Sequence, residues 1–168
     1  MYQVQSFADG QALIINTEQM YESYWLADSA EAAEALAVGL NQPDLQAELA
    51  SHRFTFETTG LTLANGLQIL TDRESQAQLG NAYTTLKHGL IPDTDWKAVN
   101  GWQVVTLAEI EPIAKSMAAH VRGCFRGERA VSELINAAKT LDDIRAINIA
   151  EQFFAHYQVA YDEVMVPA

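Results

Sequence analysis

From Leu107 to Ala138, apolar or small side chains recur at alternating steps of three and four: Leu107, Ile110, Ala114, Met117, Val121, Cys124, Val131, Ile135 and Ala138, interrupted at Glu128. Only a helix gathers such positions into one stripe, so the spacing predicts a helix over about 106–139. Thr106-Leu107-Ala108-Glu109 marks its start, because a Thr hydroxyl and a Glu three residues on can satisfy each other's backbone N–H groups. A stripe of this length has to be buried. It packs either on elements of its own chain or on a second subunit, and Ile110, Met117, Val121 and Val131 are the candidate oligomer seam. Gly123 and Gly127 weaken the middle and mark a candidate bend. Lys115, Arg122, Arg126, Arg129 and Lys139, half of the ten basic residues, give the helix a basic flank.

Elsewhere turn and cap signals alternate. Tyr2, Val4 and Ser6 alternate against Gln3, Gln5 and Phe7, and Asp9-Gly10 leads into Ala12-Leu13-Ile14-Ile15, a hairpin pattern. The aromatic run Met20–Leu26 reads equally as helix or strand. Asp28-Ser29-Ala30-Glu31 opens a short helix ending at Gly39, and Pro43 starts another through Glu48. Alternation in Phe54-Thr55-Phe56-Glu57-Thr58 and on both sides of Asn65-Gly66 predicts extended structure and a hairpin. Thr71-Asp72-Arg73-Glu74, with Thr71 as cap, begins a helix through about His88, stopped by Gly89. A further hairpin turns at Asn100-Gly101 with Trp96 and Trp102 in its two arms, and Thr140-Leu141-Asp142-Asp143 starts one final helix carrying Ile144, Ile147, Phe154 and Tyr157 on one side. The fold class expected is α+β: small antiparallel hairpins packed with helices, with one long C-terminal helix followed by a shorter one.

The chain of 168 residues has 22 Asp and Glu against 10 Lys and Arg, a net charge of −12 that disfavours binding to a nucleic-acid backbone. Residues 1–52 hold eight of the acids and no Lys or Arg, which suggests an acidic N-terminal α+β module at 1–52 and a second module at 53–168. A solubilising acidic surface would produce the same imbalance. No apolar run approaches a membrane span and the first residues lack a signal-peptide pattern, so a soluble protein without membrane contact is expected. One cysteine, Cys124, permits no internal disulfide.

Motifs for catalysis, metal or cofactor binding are absent from the sequence, so neither cofactor nor metal is expected. His120 and Cys124, one helical turn apart, are the best residual pair for thiolate activation, although Cys124 sits on the apolar stripe where a buried thiol is ordinary. Tyr21, Tyr24 and Trp25 form a candidate partner-binding patch, with core packing as the competing reading. Trp96 and Trp102 either grip a ligand or pair across their hairpin to stabilise it.

Four segments of the chain, taken in order, are specific as a set: Leu67-Gln68-Ile69-Leu70-Thr71-Asp72-Arg73-Glu74-Ser75-Gln76-Ala77, Trp96-Lys97-Ala98-Val99-Asn100-Gly101-Trp102, Val105-Thr106-Leu107-Ala108-Glu109-Ile110 and His120-Val121-Arg122-Gly123-Cys124-Phe125-Arg126-Gly127-Glu128. Through them the stretch from about Phe54 to Ala138 resembles a phage and prophage domain of unknown function found among tail-fibre genes. The resemblance implies a tail-fibre assembly protein, non-catalytic, whose partner is the phage tail fibre, and which works in the bacterial host cytoplasm or, as a tail component, in the virion. A structural part of the mature tail and an acidic DNA mimic are the alternatives, and a homo-oligomer through the long helix is compatible with each.

Overall fold

Asp9 and Gly10 both adopt positive φ, 52° and 73°, the geometry of a two-residue turn that matches strand twist. They join β1 (Tyr2–Ala8) to β2 (Gln11–Asn16), which pair antiparallel, and β2 pairs in turn with β3 (Tyr21–Leu26). The aromatic run is thus a strand, the edge of a three-stranded sheet ordered β1-β2-β3. The computed structural model describes residues 1–63, 66–98 and 101–166, and the side chains of Tyr21 and Ala98 lie outside that description, as do Asn65 and Asn100 of the two expected Asn-Gly turns. Strict alternation fails in β1. The register shifts between Val4 and Ser6, a bulge at Gln5, so Phe7 joins Tyr2 and Val4 on the core side instead of opposing them.

Helix α1 (Ala30–Thr58) runs unbroken through Gly39 and Pro43, in place of two short helices and an extended segment at Phe54–Thr58. Pro43 deprives the Gly39 carbonyl of its helical donor, but both residues are exposed, so water can serve that carbonyl. The polar residues around the break hold the helix in place. The Asn41 amide donates to the carbonyls of Ala37 and Tyr2, both at 2.8 Å, and accepts from the Tyr2 N–H.

Leu61–Thr62 (β4) and Gln68–Ile69 (β5) form a minimal ladder, followed by α2 (Arg73–Lys87). Its N-cap is Asp72 and not Thr71: the Asp72 carboxylate accepts from the backbone N–H groups of Glu74 and Ser75 at 3.0 Å, while Thr71 is buried and its hydroxyl accepts from Gly60 N–H. The hairpin of β6 (Thr94–Ala98) and β7 (Gly101–Val105) leads into α3 (Leu107–Ala137), where the Glu109 carboxylate accepts from Thr106 N–H and hydroxyl. That helix is one continuous element through Gly123 and Gly127. The expected final helix is two, α4 (Leu141–Arg145), opened by a Thr140–Asp143 capping box, and α5 (Ile149–Met165). Asn148 caps the second by accepting from Glu151 N–H at 3.2 Å, and the restart turns Phe153 inward and leaves Phe154 exposed.

The chain is α+β and divides into two units, residues 1–52 with 128–154, and residues 53–127 with 155–168. In the first, Ala12 and Ile14 of the sheet pack with Ala33, Ala37 and Val38 of α1 and with Ala138, Leu141 and Ile144. Gln42 donates to the Ile135 carbonyl at 2.9 Å, and Glu34 accepts from Leu141 N–H at 2.9 Å at the start of α4. In the second, Leu79 and Leu86 of α2 pack with Ile110 and Met117 of α3, with Ile69, Trp96 and Val105 partly buried against them.

Candidate functional site

The pair His120 and Cys124 is sealed. His120 is 1% exposed and Cys124 is fully buried, with 3.9 Å between Nε2 and Sγ. Nε2 lies 3.0 Å from the Glu57 carbonyl oxygen, which can only accept, so Nε2 carries the proton and Nδ1 accepts from the Tyr157 hydroxyl at 3.0 Å. Burial lowers the pKa of His120 and raises that of Tyr157, so the imidazole stays neutral and the phenol remains a donor. The Phe56 ring stacks on the imidazole at 5.8 Å. A neutral imidazole with both nitrogens occupied inside an aromatic shell has no path to a substrate; its role is to tie α1, α3 and α5 together within the second unit.

Beside it lies a feature with no motif in the sequence. Glu57, fully buried in the last turn of α1, receives Arg53 Nη1 on Oε2 at 2.7 Å, Arg73 Nη1 on Oε1 at 2.8 Å, Arg73 Nη2 on Oε2 at 3.2 Å and Gln76 Nε2 on Oε1 at 3.1 Å. Carboxylate charge at a helix C-terminus is unfavourable, and two guanidinium groups offset it. Arg53 and Glu57 stand four apart on the helix, a spacing that alone points to the pair; Arg73, sixteen residues on, has no local signal. Among the described residues no group of three or more His, Cys, Asp or Glu is placed to hold a metal ion, and no helix is long and apolar enough to cross a membrane.

The surface residues separate where the sequence suggested clusters. In β3, Ala12↔Trp25 and Ile14↔Ser23 share the face that carries the core, while Leu13↔Tyr24 and Gln11↔Leu26 share the other. Trp25 therefore lies on the face that carries the core, yet is 39% exposed and outside the core cluster, its indole N–H donating to Ser23 Oγ at 2.7 Å, and Tyr24 points the opposite way. Of Tyr21 only the backbone register, opposite Asn16, is described. Tyr24 is 70% exposed and Leu26 82%, beside half-buried Leu13 and Ile15, none of them in the core cluster. These four are the apolar residues of an outer sheet face that they share with Ser6, Gln11 and Glu22.

Trp96 and Trp102 do not pair. The register is Trp96↔Gln103 and Lys97↔Trp102, so Trp96 turns to the core of the second unit and Trp102 to solvent, 71% exposed under the Lys97 ammonium at 5.8 Å. The stripe of α3 is spent within the chain: Ile110, Met117 and Val131 are buried and Val121 is partly so. No second subunit can use those positions without unfolding this one, and the expectation of an oligomer seam there is corrected.

The family model for a domain of unknown function, DUF4376, matches residues 41–151, well over half of the chain. The chain belongs to that family. No curated protein and no solved structure matched it. The DUF4376 match begins inside α1 and ends inside α5, so the strands of the apolar sheet face lie before the matched region.

Proposed function

We propose that this DUF4376 protein is a non-catalytic binding protein that assists the assembly of a phage tail fibre in the host cytoplasm, holding the distal part of the fibre through the outer face of the β1-β2-β3 sheet. The observation that carries the reading is the exposure of Tyr24 and Leu26 on that face, next to Leu13 and Ile15, while the opposite face is filled by the core. Exposed aromatic and leucine side chains gathered on one rigid sheet are what a protein-binding surface requires. Tail fibres, as the resemblance to tail-fibre-associated domains implies, are intertwined β-rich trimers whose edges and tips aggregate before assembly. A small acidic partner that covers such a surface keeps it soluble.

The test is co-expression with the tail fibre encoded beside it, reading fibre solubility, trimer formation and co-purification. The fibre is expected to be soluble and trimeric with the wild-type chain, and the Tyr24→Ala/Leu26→Ser double variant, folded by circular dichroism, is expected to lose at least about tenfold in affinity. A fibre that folds unaided and never co-purifies with the wild-type chain overturns the reading.

A further inference from the structure

The sheet that bears this outer face has two edges, and they are treated differently. Along β1 the Asn41 side chain acts as a substitute strand: its Oδ1 accepts from Tyr2 N–H and its Nδ2 donates to the Tyr2 carbonyl, both at 2.8 Å. Along β3 nothing comparable is present among the described residues. Ala27 N–H donates to the Gly10 carbonyl at 3.1 Å, which fixes the parity of the ladder. Residues 25 and 23 point their backbone groups at β2, and Glu22, Tyr24 and Leu26 point theirs away from it. No protein partner meets those outward N–H and C=O groups among the described residues, and all three residues are exposed. The strand also lacks the usual blunting devices: its six residues contain no Pro and no Lys, and its register with β2 carries no bulge.

We propose that the free edge of β3 accepts an extended segment of a partner protein, in which apolar residues alternate with Lys or Arg, as a fourth strand of the sheet. The inference rests on the binding role proposed above and names the edge and the chemistry of the partner. The apolar residues of the added strand lie beside Tyr24 and Leu26 and extend the outer apolar face. The basic residues answer a strongly one-sided charge: the first unit holds thirteen acids against three bases, whereas the second holds nine against seven. Glu22 shares the face of Tyr24 and Leu26, so the basic residues, on the other face, meet the acid excess of the unit as a whole, and Asp28 and Glu31 are exposed just beyond the end of β3 in sequence. The same charge disfavours a second copy of this chain as the occupant, because pairing β3 with β3 would bring two such units together. Main-chain bonds supply the affinity in this mode and alternate side chains supply the selectivity.

The experiment titrates the full chain with labelled short peptides, read by fluorescence anisotropy and by amide hydrogen exchange. A peptide of alternating valine and lysine is expected to bind, to slow exchange at Glu22, Tyr24 and Leu26, and to weaken several-fold as salt is raised. The same peptide N-methylated at alternate residues, and a valine–glutamate peptide, are expected to bind at least roughly tenfold more weakly. Glu22→Pro removes an outward N–H while leaving the ladder to β2 and the Tyr24 and Leu26 side chains in place, and is expected to show a similar loss relative to Glu22→Gln. Equal binding of the N-methylated or the acidic peptide, no binding of the basic one, or a β3-dependent dimer of the chain overturns the proposal. Fibre capture retained in full by Glu22→Pro overturns strand addition and leaves the fibre-assembly reading standing, whereas peptide binding without any fibre capture by the wild type does the reverse.

Discussion

Replacing Glu57 by Gln tests whether the buried carboxylate holds the second unit together. The side chain keeps its shape and loses its charge. Of the four contacts the carboxylate accepts, three come from guanidinium N–H groups, at 2.7, 2.8 and 3.2 Å, and the fourth from the Gln76 amide at 3.1 Å. A Gln side chain accepts on one atom only and places its own N–H2 against donors on the other, so one side of the site faces donor against donor. Arg73, whose side chain is 54% exposed, can turn to water; Arg53, at 15%, cannot do so fully and keeps a largely buried charge. Breaking a buried ion pair from one side costs about 3–5 kcal/mol. For a chain of this length that lowers the melting temperature by roughly 6–20 °C. The assay is thermal and urea unfolding followed by circular dichroism, with the partner variant Arg53→Met and the apolar double Glu57→Leu/Arg53→Met alongside. The double is expected to be more stable than Glu57→Gln, because it removes the largely buried charge of Arg53 together with that of Glu57. A loss under about 1 kcal/mol for Glu57→Gln would refute the argument, since even one charge-assisted bond is worth more.

Three further outcomes follow from the same unit. At Gly123 an added Cβ would lie 2.7 Å and 2.9 Å from the Tyr157 ring and 3.1 Å from its carbonyl oxygen, so Gly123→Ala is expected to destabilise by about 1–3 kcal/mol despite its helix propensity. Gly80→Ala, which meets nothing within 4 Å in the middle of α2, is expected to stabilise by roughly 0.5–1 kcal/mol, and urea midpoints that move in the same direction for the two variants would contradict the packing. The folded-state pKa of His120 lies below its ordinary 6.5, so the unfolded chain binds the extra proton first. Its contribution is therefore complete above 6.5 and is lost as pH falls from there through the lower folded value, and a His120→Gln variant should show a shallower loss in urea midpoint over that window.

Where local chemistry decides the structure, the sequence was readable. Asp9-Gly10 turns where its positive-φ tolerance allows, Thr140 and Asp143 cap α4, and the three-four spacing from Leu107 runs along one buried stripe. The failures lie where distant groups outweigh local preference. Gly39 and Pro43 are helix breakers by propensity, yet Asn41 and Gln42 beside them bond to residues 39 and 93 positions away, and α1 continues. Phe54–Thr58 alternates like a strand, but Arg53, Phe56 and Glu57 also stand at helical spacing, and the partners that select the helix are Arg73, His120 and Tyr157, far along the chain. The separation of the two tryptophans is itself legible in the sequence. A hairpin with a two-residue loop pairs residues whose numbers sum to an odd value, so Trp96 and Trp102 lie on opposite faces whichever two residues turn.

The same parity argument decides what the outer sheet face can do. In β3 the residues that send side chains outward, Glu22, Tyr24 and Leu26, are also those that send backbone groups toward the open edge, because in an antiparallel ladder both alternate with period two. Side-chain selectivity and main-chain affinity are thereby available from one set of three residues. The neutral imidazole and the paired carboxylate of the second unit are closed to any partner by their own hydrogen bonds. Substitutions in the two places should consequently separate. Changes at Glu57 or His120 move stability and change binding only as far as the fold is lost, whereas Tyr24 and Leu26, with little of their side chains buried, have little stability to lose and change binding directly.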